Sequence, residues 1–162
     1  MNAPIKLQND DERAYSYVIG GVFINFGALE MMSFGWVESL GNDPVVMRDL
    51  AIDMNLAKRI DFIVMLIKRS EWPDDLKEKS ISLWRQVAEE SKIRNTIAHN
   101  PYITGMNREG STVSGIANAK KMKGDGPYEY ELLSAEDISK AALRAGALGR
   151  ELATILINQT NG

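Results

Sequence analysis

The stretch PDDLKEKSISLWRQVAEESKIRNTIAHNP, residues Pro73 to Pro101, decides how this chain is read. Asp74 and Asp75 suit a helix N-terminus, whose partial positive charge favours acids. Asn100-Pro101 stops the helix, because the residue before a proline is pushed out of the helical region. Turning about 100° per residue puts Leu76, Leu83, Val87, Arg94 and Ala98 on one stripe. Ile81, Trp84, Ala88, Asn95 and His99 form a second stripe, and Glu78, Arg85, Glu89 and Lys92 make the charged outer face. Arg94, Asn95 and His99 therefore continue apolar stripes where leucine or alanine would be expected. A buried arginine is costly unless something pairs with it. The run Arg94-Asn95-Thr96-Ile97-Ala98-His99 thus breaks the packing rule as functional sites do. A plainer account stands beside this one: His99 caps free carbonyls at the helix end, and Arg94 serves a structural ion pair.

Upstream, a long helix is expected from about Asp11 to Leu40. Tyr15, Val18, Ile19, Val22, Phe26, Leu29, Trp36, Val37 and Leu40 recur at helical spacing. The other side carries Tyr17, Gly20, Ile24, Gly27, Ala28 and Met31, and no charge occurs between Ala14 and Leu29. A helix apolar all round is buried on more than one side; the second side faces either another subunit or the middle of a monomer. Asn25 and Glu30 flank the apolar stripe, as cleft residues or as ordinary helix edges. A new helix starts at Asp43-Pro44, an N-cap followed by proline at the first helical position. The segment to Arg69 carries Leu50, Leu56, Ile60, Ile63, Val64 and Ile67 inward, with Lys68-Arg69 suiting its C-terminus.

Downstream, Tyr102-Ile103-Thr104 and Thr112-Val113-Ser114 read as short strands around the turn Asn107-Arg108-Glu109-Gly110. A basic loop holding Lys120, Lys121 and Lys123 follows, then a third strand from Tyr128 to Leu132. Ser134 to Asp137 resembles a capping box with Asp in place of Glu. It opens a last helix with Ile138, Ala142, Ala145, Leu148, Leu152 and Ile155 inward. The whole, 1–162, is expected to be one mainly α domain: a bundle of four to five helices with a strand and loop insertion at about 102–133.

Composition narrows the chemistry. Hydrophobic residues make up 44% and charged residues 25% of 162, a globular balance. There is no cysteine and one histidine, so thiol catalysis, disulfides, thiolate metal centres and a multi-histidine metal site within one chain are excluded. The net charge of −3 and an isoelectric point near 5.3 argue against salt-driven wrapping of nucleic acid, though not against a local cationic site. The first residues hold charges and a proline rather than an apolar run. The longest apolar stretch, Val18 to Leu29, is 12 residues and contains Asn25, short of the roughly 20 a membrane span needs. A cytoplasmic protein without a membrane partner is expected. No G-x-S-x-G elbow supports a serine hydrolase. Gly124-Asp125-Gly126 precedes Pro127 rather than a helix, so it is no phosphate loop.

The run Arg94 to His99, followed by Asn100-Pro101-Tyr102, resembles the signature of the HEPN superfamily: an Arg, an adjacent polar residue and a His some five to seven positions on, near a helix end. The segments Phe23 to Glu30 and Lys58 to Asp61 are similar to HEPN helices as well. Some HEPN toxins add a tyrosine two residues after the His; Tyr102 stands three after and is carried over only as a contact. The resemblance implies a HEPN-like helical bundle that dimerises so that two Arg and two His share a cleft. It also implies an endoribonuclease that needs no metal or other cofactor, of the toxin–antitoxin, phage-defence or CRISPR-linked kind, with RNA as substrate and an antitoxin or regulatory protein as partner.

The residue types suit that reaction. Attack by the 2′-OH of RNA needs proton transfer near neutrality, the province of histidine, and a lasting cation on the phosphate, which arginine supplies with a forked donor. His99 and Arg94 take those roles. Asn95, one turn before His99, orients it or the phosphate, and Asn100, Tyr102, Lys120 and Lys121 are substrate-side contacts, the lysines being equally readable as a solvated loop. The competing reading is a non-catalytic HEPN-like dimer that binds a protein partner or a nucleotide.

Overall fold

The computed structural model describes residues 10–106, 109–117 and 132–160. Five helices, α1 (Asp10–Leu40), α2 (Pro44–Ile52), α3 (Leu56–Arg69), α4 (Asp74–His99) and α5 (Ala135–Thr160), surround one core. Between α4 and α5 lie β1 (Tyr102–Met106), β2 (Thr112–Ala117) and β3 (Leu132–Leu133). The strands form an antiparallel sheet in the order β1-β2-β3, with Tyr102 opposite Ile116 and Ile116 opposite Leu133. The third strand expected from Tyr128 is seen only at Leu132–Leu133; residues 128–131 and the basic loop with Lys120, Lys121 and Lys123 lie outside the described residues.

The bundle is organised on α1. At about 1.5 Å per residue its 31 residues offer a long surface, with α5 along it and α2, α3 and α4 each touching it. The stripe expected inward is inward: Tyr15, Val22, Phe26, Leu29, Trp36 and Val37 are buried. Trp36 meets Trp84 of α4 edge-on at 5.7 Å and Trp72 at 5.8 Å. Truncating either buried indole to alanine would cost about 3–5 kcal/mol. By length and composition α1 is also the one described helix long and apolar enough to cross a membrane. That differs from the expectation drawn from uninterrupted apolar runs, because its scattered polar residues are too few to lower the average. A core helix passes the same test.

The segment from Asp43 to Arg69 is two helices, not one. The Asp43 side chain accepts from the backbone N–H groups of Val45 and Val46 at 3.0 and 3.2 Å, so the expected cap is present. Helix α2 then ends at Ile52, and Asn55 caps α3 by accepting from the Lys58 N–H at 3.0 Å. The break turns α2 away from the core: it buries only Ala51, and Leu50, expected inward, is exposed.

The sheet is fastened to α1 through Tyr15, whose hydroxyl donates to the Ser114 carbonyl at 2.7 Å and whose ring meets Tyr102 edge-on at 4.9 Å. Gly115 makes the closeness of β2 and β3 affordable in space: a Cβ there would stand 2.9 Å from both the Leu132 Cβ and the Leu133 carbonyl oxygen. Helix α5 opens as its sequence reads. Asp137 N–H donates to Ser134 Oγ at 3.1 Å, and Ser134 N–H donates to the Asp137 carboxylate at 3.3 Å. Ile138, Ala142, Ala145, Leu148, Leu152 and Ile155 are all buried.

Candidate functional site

The inward residues of α4, Ser80, Leu83, Trp84, Val87 and Ile97, are buried. Beside that buried side, its last turns face the middle of α1 and the start of α3 across an open groove of about 580 Å³. The groove is lined by Glu30 of α1, Asn55, Leu56, Ala57 and Arg59 at the head of α3, and Ser91, Arg94, Asn95 and His99 of α4.

Three of the residues singled out in the sequence, Arg94, Asn95 and His99, thus share one cavity. Their surroundings differ from the expectation. Arg94 is half-buried, with 31% of its side chain exposed, whereas Asn95 and His99 are exposed. The core reaches the end of α4, but on the side of Ile93 and the buried Ile97, so Asn95, Ala98 and His99 fall outside it. Arg94 donates to Glu30 Oε1 at 3.4 Å and to Asn95 Oδ1 at 3.1 Å. Its guanidinium carbon lies 5.8 Å from the centre of the Phe23 ring. Its Nε is buried and makes no hydrogen bond. Asn95 therefore orients the arginine rather than His99. The imidazole ends α4, exposed.

Glu30 lines the groove as its place at the stripe edge allowed. Asn25 does not: its side-chain N–H donates to the Ala142 carbonyl at 2.9 Å, joining α1 to α5. Asn100 and Tyr102 are not among the groove residues either. Asn100 donates to the Thr96 carbonyl at 2.7 Å, closing the end of α4. Tyr102 packs its ring on Tyr15.

Arg59 was not singled out by the sequence reading, and it is the most buried charge in the groove, 6% exposed. Its guanidinium lies 3.7 Å over the Phe34 ring. It donates to the Glu30 carbonyl at 3.3 Å, Ser33 Oγ at 3.2 Å and the Met54 carbonyl at 2.7 Å, all neutral oxygens, and its Nε has no partner. Burial pushes its pKa down, and the Glu30 charge works against that. The signal is in the sequence: Ile60, Ile63 and Ile67 make the buried face of α3, and Arg59 falls on it at helical spacing.

The groove therefore holds two permanent cations and a histidine against one carboxylate, in a chain whose net charge is −3. Such an excess on a low-dielectric wall concentrates anions. Among the described residues no group of three or more His, Cys, Asp or Glu is gathered as a metal site. Comparison with protein-family models, with curated proteins and with solved structures finds no match to this chain.

Proposed function

We propose that the chain is a HEPN-like endoribonuclease of the cytoplasm that acts as a homodimer and needs no cofactor. The observation that carries this reading is the grouping of Arg94, Asn95 and His99 in one open, cation-rich groove. In the reaction, the 2′-oxygen of RNA attacks the adjacent phosphorus and the bond to the 5′-oxygen breaks, giving a 2′,3′-cyclic phosphate and a 5′-hydroxyl. One imidazole takes the 2′-OH proton and another returns a proton to the leaving oxygen. Arg94 stabilises the extra negative charge on the phosphate as the transition state forms. A single chain supplies one His99, so the second comes from a second copy.

The outer face of α1 supports that pairing. Tyr17, Ile24 and Met31 are 85%, 74% and 71% exposed, and they lie on one uncharged stripe with Gly20, Gly27 and Ala28. A Cβ at Gly20 or Gly27 would meet nothing within 4 Å. Glycine inside a helix costs about 1 kcal/mol relative to alanine, and packing within the chain gives no reason for either. A second α1 crossing closely does. Antiparallel pairing about a two-fold axis that sets Ile24 against Gly27 also sets Met31 against Gly20, so protrusions meet gaps. The stripe adjoins Phe23, against which Arg94 rests, so the two grooves would lie near the same axis.

A second reading has one observation in its favour: Arg94 is already bonded to Glu30 and Asn95 of its own chain. On that reading the dimer is non-catalytic and binds an antitoxin, another regulatory protein or a nucleotide. Incubating labelled RNA with wild type, His99→Ala and Arg94→Ala, each with a chelator present, decides between them. Cleavage by wild type alone is expected; equal outcomes for all three would end the nuclease reading.

A further inference from the structure

Arg94 is held by a carboxylate where the proposed chemistry needs it on a phosphate, and Arg59 sits beside that carboxylate with no acid of its own. Glu30 links the two. Its main-chain carbonyl accepts from Arg59 at 3.3 Å and from Ser33 Oγ at 2.6 Å, and its side chain accepts from Arg94 at 3.4 Å. The Arg94 contact is long for a charge-assisted bond, which normally closes to about 2.7–2.9 Å. Both ends are also open to water, at 31% and 38% exposure, so it is an easily exchanged pair. Arg59 is the opposite case. It is buried on neutral oxygens, and a buried cation that bonds no carboxylate is a standing cost to the fold, only partly offset by the nearby Glu30 charge. An anion entering the groove would relieve that cost while taking over Arg94.

We propose that the groove is a phosphate-binding site in which Arg59 is a second, fixed cation behind Arg94, and Glu30 is an internal counter-ion that the incoming phosphate replaces. The ligand class is a phosphate of a nucleic-acid backbone, or inorganic phosphate at the same place. Empty, the site is closed by its own carboxylate. Occupied, Arg94 turns from Glu30 to the phosphate oxygens while Arg59 stays in place on the Phe34 ring and the Met54 carbonyl. The proposal rests on the reading of the groove as the nucleic-acid site, but it makes a separable demand: removing the Glu30 charge must strengthen binding.

The probe is a short fluorescent oligodeoxynucleotide, which lacks the 2′-OH and cannot be cleaved by the proposed route, followed by anisotropy and competed with inorganic phosphate. Glu30→Gln should tighten binding about tenfold, the scale of one hydrogen bond to a charged group. Glu38→Gln, the same loss of charge on the same helix but at the Arg48 pair, should change it by less than about twofold. Arg59→Gln, with its helical circular dichroism intact, should weaken binding about tenfold. If that variant does not fold, Arg59→Lys replaces it: affinity within about threefold of wild type supports the charge role, and a folded Lys variant weaker by about tenfold overturns it. Glu30→Gln binding no more tightly than wild type, or no more tightly than Glu38→Gln, overturns the counter-ion. The two readings fail differently. Binding in this order without RNA cleavage leaves a phosphate site in a protein that is no nuclease, whereas His99-dependent cleavage with a neutral Glu30→Gln removes this proposal alone.

Discussion

Two grooves flank α4, and they handle charge in opposite ways. The one between α4 and α5 is the larger, about 650 Å³, and is lined by Glu78, Arg85, Glu89, Glu90, Arg144 and Glu151 among others. There most of the charges are matched: Arg144 donates to Glu90 at 2.9 Å, Lys79 reaches Glu151 at 3.9 Å, and Lys92 holds Glu89. On the other side, Arg59 has no acid, Arg94 shares one at long range, and His99 stands exposed at the rim. Volume alone would favour the α5 side, whereas the charge imbalance favours the other. Matched charges have spent their interaction on the fold, and unmatched ones still have it to offer to a ligand.

The sharpest way to break this contrast is to disarm each groove in turn and measure RNA cleavage. His99→Ala should lower the rate by about 10²–10⁴, the usual contribution of a positioned acid or base. Arg94→Ala should lower it by about 10²–10³, the loss seen when one donor to a developing oxyanion is removed. Arg144→Gln and Glu90→Gln, across the helix, should leave it within about twofold, with effects limited to stability. Cleavage that collapses on the α5 side as well would show that the charge imbalance does not mark the site.

The next largest effect concerns the two faces of α1. Ile24→Asp puts a charge in the middle of the uncharged outer stripe. It should raise the dimer dissociation constant by about a hundredfold or more, since an interface buries a lone charge at a cost of several kcal/mol. Light scattering across a dilution series reads the change, and cleavage should fall with it because each site would lose its second histidine. Melting at high dilution should match wild type, because Ile24 contributes nothing to the interior. A wild-type chain that is monomeric at every concentration would remove the shared-cleft mechanism.

The sequence carried the local half of this picture and none of the long-range half. The buried face of α5, the Ser134–Asp137 box, the Asp43 cap and the inner stripe of α1 follow from spacing and capping within a turn or two, and all four stand in the structure. The Asp53–Asn55 break was missed because apolar spacing runs across it; only the Asn55 side chain, turned to cap α3, marks it. The rule that flags Arg94, a charge on an apolar stripe, applies equally to Arg59. Spacing on one helix gives direction but not where its neighbours end. At the end of α4 the interior lies on the side of Ile97, which is buried, and leaves Asn95 and His99 outside it. The meeting of Glu30 with Arg94, 64 residues apart, has no local signature at all.

The smallest expected effect tests what a fully matched charge does. Asp137 is fixed by Ser134, whose hydroxyl and backbone N–H both donate to its carboxylate at 2.7 and 3.3 Å. Those bonds, the side-chain one first, hold its pKa below the ordinary 3.8. The folded state therefore prefers the ionised form. Its contribution is complete above the unfolded value near 3.8 and is lost as pH falls through the lower folded value. Ser134→Ala removes both the cap and the hydroxyl, so its melting temperature should lie a little below wild type at pH 7. Below pH 3.8 the part of that deficit owed to Asp137 ionisation should shrink, leaving the part owed to the lost cap. RNA cleavage should not change at any pH where both proteins are folded, because the box lies at the start of α5, outside the groove that holds Arg94. A deficit that grows in acid would mean that the carboxylate is not held ionised by Ser134. A loss of cleavage would mean that matched charges also serve the site, and the contrast between the two sides of α4 would no longer hold.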